Sequence, residues 1–189
     1  MILDIVQYGE PVLRKKCTVI TEVDASLEKL VDDMIETMVD ADGIGLAAPQ
    51  IGKDIRLAVV DVSHDPQCVS FFKVDGEDAD LTEHMPLVFL NPELELSGAK
   101  EVENEGCLSI QEVRAKVKRP SIVKASLPQL DGSTKIVETD GLLARAIQHE
   151  VDHLNGLLFT DRLSTTTKAR LKKKLKVLST TKWERRPAE

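Results

Sequence analysis

Apolar positions along this chain follow two periods. Leu27, Leu30, Val31, Met34, Ile35 and Met38 recur every three or four residues, the spacing of one helix face. The pattern predicts an amphipathic helix over residues 26–40, with Asp24 or Ser26 as its N-cap. The run Gly43-Ile44-Gly45-Leu46-Ala47-Ala48-Pro49-Gln50-Ile51-Gly52 then breaks the period, and its small residues let backbone approach closely. Residues 55–61, IRLAVVD, predict a buried strand. Further strands are expected at 87–91, 113–118, 121–127 and 134–139, with Asp131-Gly132 turning between the last two. The stretch from Ser63 to Met85 carries Asp75, Glu77, Asp78, Asp80 and Glu83. It reads as a long exposed connection with a short hairpin at Asp75-Gly76. A second helix is expected from about Gly141 to Asn155, stopped by Gly156. Ser164 caps a third, whose Leu171, Leu175 and Leu178 form an apolar seam. The expected fold is α+β: antiparallel sheets packed around a central helix, with an N-terminal and a C-terminal helix.

Composition sets the class. The 189 residues are 42% hydrophobic and 30% charged, a globular profile, and only 3% aromatic, so the core must be aliphatic. No linker or repeat interrupts the chain. Residues 1–163 are expected to form one domain, with 164–189 as its basic C-terminal helix and tail. No apolar run approaches the roughly 20 residues of a membrane helix. The N-terminus has Asp4 inside its apolar stretch and its basic residues afterwards, the wrong order for a secretory signal. The chain therefore reads as cytoplasmic. Its three cysteines, Cys17, Cys68 and Cys107, are odd in number and scattered, which argues against a disulfide framework. The net charge of −7 is uneven: residues 164–189 carry nine Lys or Arg against two Glu. An acidic body with a basic tail points either to a polyanionic partner or to a solvated amphipathic helix.

The second helix contains His149-Glu150-Val151-Asp152-His153, an H-E-x-x-H pattern. Four helical residues turn through about 400°, so both histidines project from one face and can share a metal ion. Glu150 is then placed to reach a water held by that ion. The alternative, two surface histidines, is weakened by Leu142, Leu143, Ile147, Val151 and Leu154, which mark a buried helix. A catalytic metal wants a third protein ligand. A metzincin would have a third histidine where Phe159 stands. No downstream glutamate lies on a suitable helix, since Glu184 and Glu189 fall in the basic tail. His64 and His84 flank the acidic connection and read as surface residues. Cys107, in Glu105-Gly106-Cys107-Leu108-Ser109-Ile110, is the best remaining candidate; the alternative is a small buried thiol. Leu108 and Ile110 suggest a strand running into the core.

Three segments together, GIGLAAPQ (43–50), EGCLS (105–109) and QHEVDH (148–153), resemble the peptide deformylases in order and spacing. The resemblance spans nearly the whole chain. It implies one divalent metal ion held by Cys107, His149 and His153, with Fe2+ as the native ion and Zn2+, Ni2+ or Co2+ able to replace it. It implies removal of the formyl group from formyl-methionine of nascent polypeptides, with Glu150 as general acid/base. Gln50 and the backbone N–H of Leu108 would stabilise the oxyanion. Ile44 and Gly45 would hold the substrate backbone, Arg114 would lie along the cleft, and Glu105 would sit beside it and hold the metal loop. On the metal helix Leu142, Arg145 and Ala146 share the face of His149 and are candidates for the methionine pocket, with the Arg145 charge reaching water.

Seen singly, the other motifs have plainer readings. Residues 43–52 could be a turn, Gln50 a capping residue, and Arg114 one of an exposed run with Lys116, Lys118 and Arg119. The family commonly has proline where this chain has Gln111. Two rivals remain: a zinc endopeptidase, and a metal-free relative that only binds nascent chains or the ribosome. The basic C-terminal helix is the candidate ribosome contact, and neither membrane nor DNA is expected as a partner.

Overall fold

A computed structural model describes residues 1–184. The first helix, α1 (Ala25–Asp40), is capped by Asp24, whose carboxylate accepts from the Leu27 N–H at 2.8 Å. It buries Leu27, Val31, Met34 and Met38, the face its periodicity marks, against a small sheet. That sheet has the order β1 (Gly45–Ala47), β2 (Leu57–Val60) and β5 (Leu87–Leu90), antiparallel throughout.

The second sheet has five strands in the order β4-β3-β8-β7-β6. Here β3 is Phe72–Val74, β4 Glu77–Asp78, β6 Glu93–Cys107, β7 Ile110–Pro128 and β8 Thr134–Thr139. Between the sheets lies α2 (Gly141–Leu154), the central helix. Its Leu143, Ile147 and Leu154 meet Val60, Phe89, Val123 and Val137 of both sheets in one aliphatic core. Gly156 ends this helix with φ +73°, and a Cβ there would lie 2.6 Å from the Arg14 carbonyl. Ser164 caps α3 (Thr165–Leu178) by accepting from the Thr167 N–H. Leu171, Leu175 and Leu178 pack on a third cluster around Leu13, Val117 and Phe159. Residues 185–189 of the basic tail, with Arg185, Arg186 and Glu189, lie outside the described residues.

Three elements differ from the sequence expectation. The strands at 113–118 and 121–127 are one strand, β7. Pro120 is tolerated inside it because β6 bulges opposite, between Ser97 and Lys100, and β8 pairs only with residues 123–128. β6 was not anticipated: it is an edge strand exposed on both faces along most of its length, so it carries no alternation to read. Its end and the start of β7 form a tight hairpin tip over 107–110, where a strand into the core was expected. The acidic connection does turn at Asp75-Gly76. However, β3 joins the large sheet through β8, and Phe72 and Leu81 are buried.

Gly156→Ala is expected to destabilise the protein more than Gly132→Ala. Both have left-handed φ, a strain of about 1–2 kcal/mol for a side chain, but a Cβ at Gly132 meets nothing within 4 Å. Urea denaturation of the two variants checks the order.

Candidate active site

The hairpin tip delivers Cys107 to the face of α2 that carries His149 and His153. The Cys107 Sγ lies 3.3 Å from His153 Nε2, and the two Nε2 atoms are 3.2 Å apart. All three ligand atoms fall within 4.8 Å of one another. Metal bonds of about 2.0–2.1 Å to nitrogen and 2.3 Å to sulfur put tetrahedral ligand atoms at about these separations. One thiolate and two imidazoles therefore fit a single divalent ion. His153 is 1% exposed, and burial pushes its imidazole well below its usual range, whereas Cys107 and Glu105 outweigh burial at His149 and hold its imidazole well above.

Glu150 lies beside this cluster, 3% exposed, and its Oε2 has no hydrogen-bond partner among the described residues. Burial pushes its carboxyl up to about 7. A Cβ at Gly45 would come within 2.3 Å of Glu150 Oε1, so only glycine admits β1 this close. Gln50 is also buried. Its Oε1 accepts from the Ala47 N–H at 2.8 Å, which turns its Nε2 donors toward Cys107 Sγ at 3.5 Å. Leu108 follows Cys107 at the tip and packs against Gly43.

A cleft of about 540 Å³ opens from the ligand cluster, bordered by Ile44, Gly45, Arg114, Leu142, Arg145 and Ala146. Glu105 and Arg145 both line the cleft and are tied to each other. The Glu105 carboxylate accepts from Arg119 at 2.5 and 2.8 Å, from Arg145 at 2.8 Å, and meets His149 Nδ1 at 3.1 Å. It thus orients a ligand and holds the loop, with no oxygen left for substrate. Arg145 does not send its charge to water; it donates to Glu105 and to the Val117 and Glu101 carbonyls. Arg119, which the alternative reading of Arg114 put in an exposed run, is 1% exposed. It also donates to Asp152 at 2.8 Å, and Asp152 in turn accepts from Arg162. The period-two alternation Val113, Ala115, Val117, Arg119 already marked position 119 as core-facing. Among the cleft neighbours that sequence reasoning missed are His64, which is exposed, and Trp183.

A thiolate, two imidazoles and a buried adjacent carboxylate in an open cleft define a mononuclear metal-dependent hydrolase. Comparison narrows the class: the chain belongs to the peptide deformylase family. The family model described as polypeptide deformylase matches residues 2–169. The peptide deformylase of Methylacidiphilum infernorum is 45% identical over 175 residues, covering 93% of this chain and 92% of that one. That of Zymomonas mobilis is 42% identical over 175 residues, covering 92% and 93%. The crystal structure of a Synechococcus elongatus peptide deformylase in complex with actinonin superposes with TM-score 0.76 at 39% identity, covering 91% of this chain and 87% of that one. A Legionella pneumophila peptide deformylase gives 0.78 at 35%, covering 94% and 95%.

Glu105→Gln is expected to weaken metal binding by roughly 10- to 100-fold, the usual cost of losing a partner behind a ligand. Competition against a chelator measures it directly.

Proposed function

We infer that this chain removes the formyl group from the N-terminal formyl-methionine of newly made polypeptides, releasing formate. The observation that carries the reading is the convergence of Cys107 Sγ and the two histidine Nε2 atoms beside the unpartnered Glu150 carboxylate. Cys107, His149 and His153 hold the ion, Fe2+ in the native enzyme; Zn2+, Ni2+ and Co2+ suit the same mixed sulfur and nitrogen donors. A bound divalent ion supplies Lewis acidity that makes hydroxide available near neutral pH.

Glu150 takes a proton from the water that attacks the formyl carbon. As the C–N bond breaks, it returns that proton to the departing amine nitrogen. Its raised affinity for protons and its missing partner suit this two-way traffic. Gln50 Nε2 and the Leu108 N–H donate to the formyl oxygen as it takes up negative charge. Ile44 and Gly45 hold the peptide backbone, Arg114 flanks it, and Leu142 with Ala146 receives the methionine side chain. Arg145 borders the same cleft, its guanidinium tied to Glu105. A zinc endopeptidase is not supported: the matching family model and the similar relatives are all peptide deformylases.

The substrate is made in the cytoplasm, and we place the activity there. Among the described residues no helix is long and apolar enough to cross a membrane. On α3 the leucine seam faces the body, while Lys172, Lys173 and Lys176 are exposed. That charge on an otherwise acidic chain supports contact with ribosomal RNA near emerging chains.

Glu150→Ala should keep its metal and lose formate release from a formyl-Met dipeptide by roughly a hundred- to ten-thousand-fold. A metal-loaded wild type that releases no formate would sink the reading. Replacing Lys172 and Lys173 with Glu should weaken ribosome cosedimentation and flatten its salt dependence; unchanged binding would remove α3 from the contact.

A further inference from the structure

We propose that Trp183 is a specificity-determining residue that contacts the part of the substrate chain following formyl-methionine. The inference rests on the deformylase reading and extends it to the far end of the cleft.

After α3 the chain turns back onto the body. A Cβ at Gly9 would lie 2.8 Å from the Ser179 side chain, so the tail's first residue is tightly seated. The Trp183 Nε1–H donates to the Leu108 carbonyl at 2.9 Å. The Gln111 amide donates to the Glu184 carbonyl at 2.7 Å, and Lys174 Nζ to the Glu112 carbonyl at 2.7 Å. The last three contacts grip the hairpin tip that carries Cys107. Gln111 makes its contact through a side-chain donor that a proline at this position would lack.

Trp183 borders the same cleft as the ligand cluster. It is the one tryptophan of the chain, and no Phe or Tyr joins it among the described residues lining the cleft. A formyl group must reach Cys107, His149 and His153, and the methionine side chain fills the wall by Leu142 and Ala146. The peptide beyond methionine must then leave along the open rim, past Leu108. Asp42 and Glu112 also line the cleft and are polar, and the indole is the one aromatic surface among the described lining residues, beside the smaller apolar Leu108, Ile110 and Val113. Its N–H is tied to Leu108, so the ring is held at little further entropic cost on binding. An apolar or aromatic residue after methionine should therefore bind better than a small one.

The test compares kcat/KM for formyl-Met-Leu-Phe and formyl-Met-Ala on metal-loaded wild type, Trp183→Ala and Trp183→Phe. The wild type should favour the longer peptide. Trp183→Ala should reduce that preference by roughly two- to tenfold, the range of an aromatic contact, mainly through KM. Trp183→Phe should retain most of it, although its donor to Leu108 is gone. Equal losses on both peptides, or equal behaviour of the two variants, would overturn the proposal and make the indole a support for Leu108. A gain on both peptides would also overturn it, making the tail an obstruction. Emission from the single tryptophan gives an independent readout in the Glu150→Ala enzyme. Formyl-Met-Leu-Phe should shift it and formyl-Met-Ala should shift it less; no shift with the longer peptide would refute the contact. A wild type without deformylase activity would overturn the functional reading instead, while the emission titration would still report on peptide contact.

Discussion

The buried guanidinium of Arg119 is the interaction on which the geometry of the candidate metal site depends. It joins Glu105, near the end of β6, to Asp152, on α2. Charges taken out of water are expensive unless their donors and acceptors are filled. Here Glu105 is completed by Arg145 and His149, and Asp152 by Arg162. The network ties a hairpin to a helix from a different part of the chain. Cys107 is two residues beyond Glu105, and His153 is the neighbour of Asp152. Fixing the ion pairs therefore fixes the distance between thiolate and imidazoles.

The same hairpin tip is gripped from its outer side by α3 and the tail. Lys174, Trp183 and Glu184 contact Glu112, Leu108 and Gln111 in turn. The two grips differ in strength. Arg119 and Glu105 are buried charges with several bonds each, whereas the tail contacts are single hydrogen bonds at a half-exposed surface. A rigid inner anchor suits ligand geometry, which tolerates little displacement. A lighter outer one suits a rim over which peptides of varied sequence must pass.

Glu150 shows how packing produces chemistry. Helical geometry turns it toward the cleft beside the ligands, and β1 presses against it where Gly45 has no side chain. Burial raises its proton affinity toward neutrality, and its Oε2 has no partner among the described residues; in the proposed reaction this lets one carboxylate accept and then return a proton. The Gln50 amide is aimed by its bond to Ala47, so on the proposed reading a donor to the reacting carbonyl is arranged before substrate arrives.

Local periodicity and residue type marked the three helices, a cap at Asp24 or Ser26, the cap at Ser164, the stop at Gly156 and the pairing of His149 with His153 on one face; the structure chose Asp24. These depend on contacts between residues a few positions apart, which sequence spacing records directly. The motif order around Gly43–Gln50, Cys107 and His149 was sufficient to suggest the family and its ligand set. Only the tertiary structure decided the rest. β6 carries no alternation because neither of its faces is covered, and the burial of Arg119 depends on carboxylates 14 and 33 residues away in sequence. Arg145 looked like a solvated side chain because its partner, Glu105, arrives from another element. Trp183 reaches the cleft only through the packing of α3. Each of these positions is set by where distant segments meet, and spacing along one segment holds no record of that.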